Sequence, residues 1–244
     1  MFSNNTNIIG GSGIKGAPVN IQTGELMGPR FRIPTPEGAK PDEVAECVKD
    51  ITKHFNWADK IGCGFPAIVR SGVAFSAANV DPSWIGTNIS QLLSSVTNCP
   101  TKVINDADAA GLAEMKFGAG KDYQNGVVFL ATLGTGVGTA VFVDGRLLPN
   151  TELGHIEIRG KDAERRASEA ARERKDLSWK KWAKYLNEYL QTIEKLIWPD
   201  VVILGGGASK NFDKFSGEIH LHCKLVQAEL LNIAGIVGAA LAGE

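Results

Sequence analysis

The sequence predicts an α/β protein of two halves, each with helices filling between strands. Three observations carry that prediction. Short apolar runs at 61–66, 101–104, 127–132 and 201–204 alternate with stretches whose apolar residues recur at helical spacing. Three clusters of glycine each follow or join such strands, and glycine reaches 28 residues in all. The composition is otherwise ordinary for a globular chain: 244 residues, 43% hydrophobic, 22% charged. A chain of that length buries a sizeable core, as one large domain or two small ones.

The elements follow in order. Gly10-Gly11-Ser12-Gly13-Ile14-Lys15-Gly16 is the first glycine cluster, and 17–25 reads as a strand ending in a turn. Residues 28–34 form a short extended piece that Pro34, Pro36 and Gly38 end. Pro41-Asp42-Glu43 opens a helix with acid in its first turn, and Val44, Val48, Ile51 and Phe55 give it one apolar face. A buried strand stops at Pro66, and 70–88 is a long irregular loop holding Asn79, Asp81, Trp84 and Asn88. Residues 89–96 are helical, 101–104 a strand that Asn105-Asp106 ends, and 109–117 a helix. The second half begins with a strand at 127–132, turns at Gly134-Thr135-Gly136-Val137-Gly138, and returns at 139–143. Asp144-Gly145 leads into a further short strand. Residues 161–175 read as one charged helix with a solvated face. Ser178 caps the next, in which Trp182, Leu186, Tyr189, Leu190, Ile193 and Ile197 line a core-facing side. The strand at 201–204 runs into Gly205-Gly206-Gly207, and a C-terminal helix covers about 226–242. The expected division is 1–107 plus about 226–244 as a smaller domain and 108–225 as a larger one.

Charge and cysteine usage exclude several classes. Twenty-six Lys plus Arg against 27 Asp plus Glu give a net charge of -1, which removes the electrostatic case for nucleic acid. No apolar run approaches the roughly 20 residues that span a bilayer. The polar start lacks an apolar signal core, so the cytoplasm is the expected place. Cys47, Cys63, Cys99 and Cys223 show no C-x-x-C spacing, so neither a disulfide framework nor a zinc site is expected.

The glycine clusters carry the chemistry. Backbone N–H groups in such turns converge on an anion, and only glycine lets the chain approach closely. A single cluster is usually only a turn; three at strand ends favour phosphate. Gly134-x-Gly136-x-Gly138 leads into a strand, which makes a hairpin tip and not the dinucleotide turn. Lys15 has the wrong spacing for a Walker loop. Two hairpin phosphate loops, one per half, follow the logic of actin-like sugar kinases. Asn105-Asp106 sits where a strand stops; Asp106 there is either a base for a hydroxyl proton or part of an Asx turn or helix cap. Glu152 and His155, three apart beside Gly154, suit a clamp on vicinal hydroxyls. A lone His is more often structural, and Glu164 alone reads as a surface acid.

Longer stretches resemble a known family. The first cluster, 77–88, 105–114, 133–138, 149–155 and 234–240 together resemble the ROK (repressor, open reading frame, kinase) family of sugar kinases, within the actin-like ATPase superfamily of ribonuclease H-like fold. Within it the chain is most similar to the polyphosphate glucokinases. The resemblance implies two α/β domains with a cleft between them, and transfer of the terminal phosphate of polyphosphate or ATP to the 6-hydroxyl of glucose. It implies Asp106 as catalytic base, and Asn79, Asn105, Asp106, Glu152, His155 and Glu164 as sugar ligands, Glu164 through a Glu-x-x-x-Ser pattern ending at Ser168. Gly10, Gly11, Ser12 and Lys15 match the first phosphate loop, Gly134, Thr135, Gly136 and Gly138 the second, and Gly205, Gly206 and Gly207 the nucleotide-side loop. Mg²⁺ is implied with the phosphate donor, a homodimer is implied, and the family's cysteine zinc motif is missing after His155. Lys15, Lys116, Lys121, Arg146, Lys161 and Lys210 are candidates for holding a polyphosphate chain.

Two positions depart from the family pattern. Ile8 stands where the family has an Asp that helps hold Mg²⁺, and Ser3-Asn4-Asn5-Thr6-Asn7 is polar for a buried first strand. Ala67 stands where the family has Gly after Pro66. The Ile8 departure supports a second reading, a sugar-binding sensor without turnover.

Overall fold

The computed structural model describes residues 13–78 and 80–244, and the backbone of 3–10. Gly11, Ser12 and Asn79 lie outside the described residues. The chain divides into two compact units, one of the residues up to Ala113 with Ile233–Glu244, the other Glu114–Asn232.

The first unit is built on β1 (Ser3–Gly10), β2 (Gly13–Asn20), β3 (Phe31–Ile33), β4 (Ile61–Phe65) and β5 (Thr101–Asn105). Their order is β3-β2-β1-β4-β5, antiparallel across the first three strands and parallel across the last three. The polar stretch at 3–7 is therefore strand after all. Its pairing is a backbone matter: Asn5 to Ile8 match Ile61 to Gly64 in register, and β2 closes the other side. Helix α1 (Pro41–His54) buries Val44, Val48 and Ile51, and α2 (Ile89–Thr97) buries Ile89 and Leu93. These side chains meet Cys63, Phe65 and Trp84 in one core cluster.

The second unit repeats the plan. Strands β6 (Val127–Leu133), β7 (Val137–Val143), β8 (Arg146–Leu148), β9 (Val201–Gly205) and β10 (Lys224–Gln227) run in the order β8-β7-β6-β9-β10. Antiparallel and parallel pairs fall in the same places as in the first sheet. This duplicated sheet is what the actin-like resemblance implies. Strands β4 and β9 are buried throughout, which explains their continuous apolar reading. Between the sheets' sequences, α3 (Asp106–Phe117) links the units. Two short helices, α4 (Glu164–Ala167) and α5 (Glu169–Arg174), precede α6 (Trp179–Ile197). Trp182, Leu186, Tyr189, Leu190 and Ile193 of α6 pack on Phe129, Leu133, Val202 and Leu204.

Three expectations change. The loop at 70–88 contains a small hairpin, Val69–Arg70 with Val73–Ala74, and a 3-10 turn at Pro82–Trp84. Trp84 anchors it, fully buried, with its Nε1 donating to the Ala39 carbonyl at 2.7 Å. The charged helix at 161–175 breaks at Ser168, whose backbone turns extended and whose hydroxyl caps α5 at the Ala171 N–H, 3.1 Å away. The C-terminal helix, α7 (Ala234–Ala242), starts later than expected, because β10 and a 3-10 turn occupy the segment before it. Its small residues work as the sequence implies. A Cβ on Gly238 would strike the Ala109 carbonyl, and one on Gly62 of β4 would strike that of Ala239.

Candidate active site

Asn105 ends β5 and Asp106 opens α3, at the carboxyl end of a parallel strand, where open α/β sheets place ligand groups. Asn105 is buried and already committed. Its Oδ1 accepts from the N–H groups of Ala107 at 2.8 Å and Asp108 at 3.1 Å, so it caps the helix. Its Nδ2 donates to the Ala67 carbonyl at 3.1 Å, leaving one amide hydrogen for other work. Asp106 is half-buried at the first turn of α3, where the helix dipole favours negative charge. Ala67, the departure after Pro66, turns its methyl into the first unit's core cluster.

In the second unit Thr139 organises the polar group. Its hydroxyl donates to the Thr151 carbonyl and accepts the Leu153 N–H at 3.1 Å, which fastens the segment 151–155 to β7. Gly154 lies so close to the Val137 carbonyl that no Cβ fits. Glu152 and His155 flank it, with Oε2 and Nε2 3.7 Å apart. The other imidazole nitrogen faces Asp162 Oδ2 at 3.6 Å. Asp162 was not a sequence candidate; a two-residue strand at Lys161–Asp162 brings it beside His155. Burial pushes the Glu152 carboxyl above its ordinary range, His155 offsets part of that, and Glu164 adds to it.

Glu164 joins this group to the second glycine loop. Its Oε2 accepts the Val137 N–H at 3.2 Å and lies against Gly136, where a Cβ would displace it. The loop closes on itself through the Gly134 N–H and the Gly136 carbonyl, 3.1 Å apart. Thr135 is exposed at its tip, between half-buried Gly134, Gly136 and Gly138. Ser168 of the Glu-x-x-x-Ser pattern is buried and structural, its carbonyl accepting from Trp182 Nε1 at 3.0 Å.

The third loop lies beside the second. Gly205 pairs with Thr132 in register, and Gly206, at φ +79°, lies against the backbone of Leu133. Gly207 faces the Glu169 carboxylate, which an added Cβ would push aside. In the first unit Gly10 pairs with Gly13 to close the β1–β2 hairpin, and Lys15 stands opposite Ile8. Of the other basic candidates, Lys121 pairs with Glu229 at 3.7 Å and Lys116 lies over the Phe117 ring. Among the described residues no group of three or more His, Cys, Asp or Glu is arranged to hold a metal ion. None of the helices among them is long and apolar enough to cross a membrane.

Comparison with known proteins finds relatives over nearly the whole chain. The model of the ROK family matches residues 9–171. The chain is 46% identical over 235 residues to a polyphosphate glucokinase of Mycobacterium tuberculosis, covering 96% of this chain and 88% of that one. It is 44% identical to the polyphosphate glucokinase of Mycobacterium leprae, covering 96% of this chain and 72% of that one. The crystal structure of an inorganic polyphosphate/ATP-glucomannokinase from Arthrobacter sp. strain KM superposes with a TM-score of 0.95 at 46% identity, over 99% of this chain and 98% of that one.

Proposed function

Because the chain belongs to the ROK family, we propose that it transfers the terminal phosphoryl group of polyphosphate or ATP to the 6-hydroxyl of glucose. The observation that carries this is near-complete coverage by relatives named for that reaction, at 44–46% identity. The same coverage tells against the sensor reading that Ile8 raised.

Asp106 takes the proton of the 6-hydroxyl as that oxygen attacks the terminal phosphorus. The bond from phosphorus to the bridging oxygen breaks, and the shortened phosphate chain or ADP leaves. Glu152, His155, Glu164 and the remaining amide hydrogen of Asn105 orient the sugar hydroxyls, and Asn79 is assigned with them. The carboxylates of Glu152 and Asp162 stand within ion-pair distance of the two His155 ring nitrogens and bias the ring's orientation. The glycine loops present backbone N–H groups to the phosphates, and Lys15 adds charge. Mg²⁺ would arrive with the donor phosphates and would offset their charge there. The Ile8 side chain carries no oxygen for it, and among the described residues no group of three or more His, Cys, Asp or Glu is arranged to hold it, so the donor phosphates themselves would be its main ligands. We extend the proposal to a homodimer acting in the cytoplasm, which sedimentation and cell fractionation test.

The test is glucose 6-phosphate formation by purified protein with polyphosphate, ATP or no donor. Product that depends on a donor supports the proposal. Glucose binding without product from either donor restores the sensor reading.

A further inference from the structure

We propose that Arg165, Arg174, Lys175, Lys181 and Lys184 form a track for an inorganic polyphosphate chain, leading away from the second and third glycine loops. The proposal rests on the phosphotransfer reading and deepens it, because it gives a long donor a hold beyond the phosphates at the loops. From Arg165 to Lys184 the chain carries eight Lys and Arg against three Asp and Glu, while the whole molecule has a net charge of -1. The excess of positive charge is local.

The cations of this stretch sort into two sets. Arg166 pairs with Glu188 at 3.2 Å, Arg172 with Glu173 at 3.5 Å and Lys180 with Glu218 at 3.2 Å. The other five are exposed, and among the described residues no acid stands within ion-pair distance of any of them. Of the three acids, Glu173 is taken by Arg172 and Glu169 turns to Gly207, which leaves Asp176.

Contacts join the five across three helices. Arg174 Nη2 donates to the Arg165 carbonyl at 3.5 Å, which brings the end of α5 to α4. Lys175 Nζ and the Arg166 guanidinium both lie over the Tyr185 ring of α6, 5.8 and 4.4 Å from its centre. Lys181 stands one helical turn before Lys184 and Tyr185 and is the surface neighbour of both. Like charges at that spacing weaken a helix, and an anion across them reverses the sign. The cluster also starts beside the phosphate loops. The Ala170 N–H donates to the Gly134 carbonyl at 3.0 Å, which ties the start of α5 to the second loop, and Gly207 of the third loop faces Glu169 there. From that point α5 runs to Arg174 and Lys175.

Long side chains on an open face suit a flexible polyanion of repeated charge more than a small enclosed ligand. A nucleic acid strand would stack its bases on open aromatic faces, and the Tyr185 ring is already engaged by two cations. The plainer reading is a solvated face of charged helices. That reading predicts no effect on the donor.

The experiment is titration of the whole protein, without glucose, with long-chain polyphosphate, tripolyphosphate, ATP and single-stranded DNA. Wild type is compared with the triple variant Arg174→Gln, Lys175→Gln, Lys181→Gln and with a charge-matched control of exposed lysines elsewhere, Lys60→Gln, Lys195→Gln, Lys214→Gln. The track variant should bind long-chain polyphosphate about tenfold more weakly, with a log–log salt dependence shallower by about two. Its Kd for tripolyphosphate and ATP should stay within about twofold of wild type, since three phosphates are held at the loops. An unchanged Kd for the long chain overturns the track. So does an equal loss with tripolyphosphate or ATP, or with the control variant. Wild-type binding of DNA as tight as that of polyphosphate overturns the choice of ligand. Steady-state kinetics separate the two levels of argument. A weakened Kd upholds the track even if the wild type forms no product. Product from polyphosphate with the same donor KM in wild type and track variant keeps the transfer and removes the track.

Discussion

Gly136→Ala tests how the second glycine loop and the sugar group are coupled. No left-handed backbone demands glycine at this position, so alanine is allowed by conformation. The added Cβ meets Glu164 Oε2, the free end of a flexible side chain, and that carboxylate must give way. Relief to ordinary contact breaks its 3.2 Å bond from the Val137 N–H. A hydrogen bond to a charged group contributes about 1.5–3 kcal/mol, and a positioned group displaced by roughly 1 Å can cost up to ~10² in rate. The glucose KM should therefore rise about 10- to 100-fold. The fold should survive, because the clash is with a movable tip and not with backbone. Gly217→Ala is the control, since a Cβ there meets nothing within 4 Å. Coupled assay of glucose 6-phosphate and calorimetric titration of glucose give the two readouts. If Gly136→Ala binds glucose as the wild type does while Glu164→Gln does not, the reasoning about the loop is refuted.

Three further outcomes follow from the same geometry. Gly238→Ala pushes its methyl into the Ala109 carbonyl, which is backbone and cannot yield, so urea unfolding should show a loss of about 1–3 kcal/mol; an unchanged midpoint contradicts the close packing of α7. Glu194 is buried, but hydrogen bonds from the N–H groups of His222 at 2.7 Å and Cys223 at 2.9 Å outweigh that burial and hold its carboxyl below the ordinary 4.5. Its stabilising contribution is thus complete above that value and is lost as pH falls through the lower folded value, so Glu194→Gln should flatten the acid side of the stability curve. Glu152 is shifted the other way by burial, so the acid limb of glucose affinity should lie above the ordinary carboxylate range. Glu164→Gln removes one charge that raises it and should move that limb to lower pH, whatever it does to the maximum; a limb that stays put separates the two carboxylates.

Much of this was legible in the chain because its causes are local. Strands β6 and β9 are apolar runs that stop at glycine, and α6 announces itself by a serine cap and a one-sided stripe. The misreadings have distant causes. Residues 226–233 look helical in isolation, yet the Glu114 carboxylate captures the N–H groups of Glu229 and Leu230 at 3.1 and 2.7 Å from the far side of the sequence. The break at Ser168 depends on Trp182 taking its carbonyl. Strand β1 forms from a polar stretch because its neighbours on both sides supply pairing. Among the site candidates, Glu152 and His155 come together, as their spacing suggested, and Glu164, which only the family resemblance pointed to, lies close enough to Glu152 to raise its carboxyl pKa. Asp162 was missed, since an acid in a charged stretch looks like surface until the register is known.

The central claim is phosphoryl transfer with Asp106 as base. The most direct measurement is single-turnover formation of glucose 6-phosphate by the wild type and Asp106→Asn, with glucose binding measured on the same samples. General base catalysis contributes about 10²–10⁴-fold, so Asp106→Asn should bind glucose and lose that much rate. A variant that turns over at the wild-type rate contradicts the account, and so does a wild type that binds glucose and forms no product.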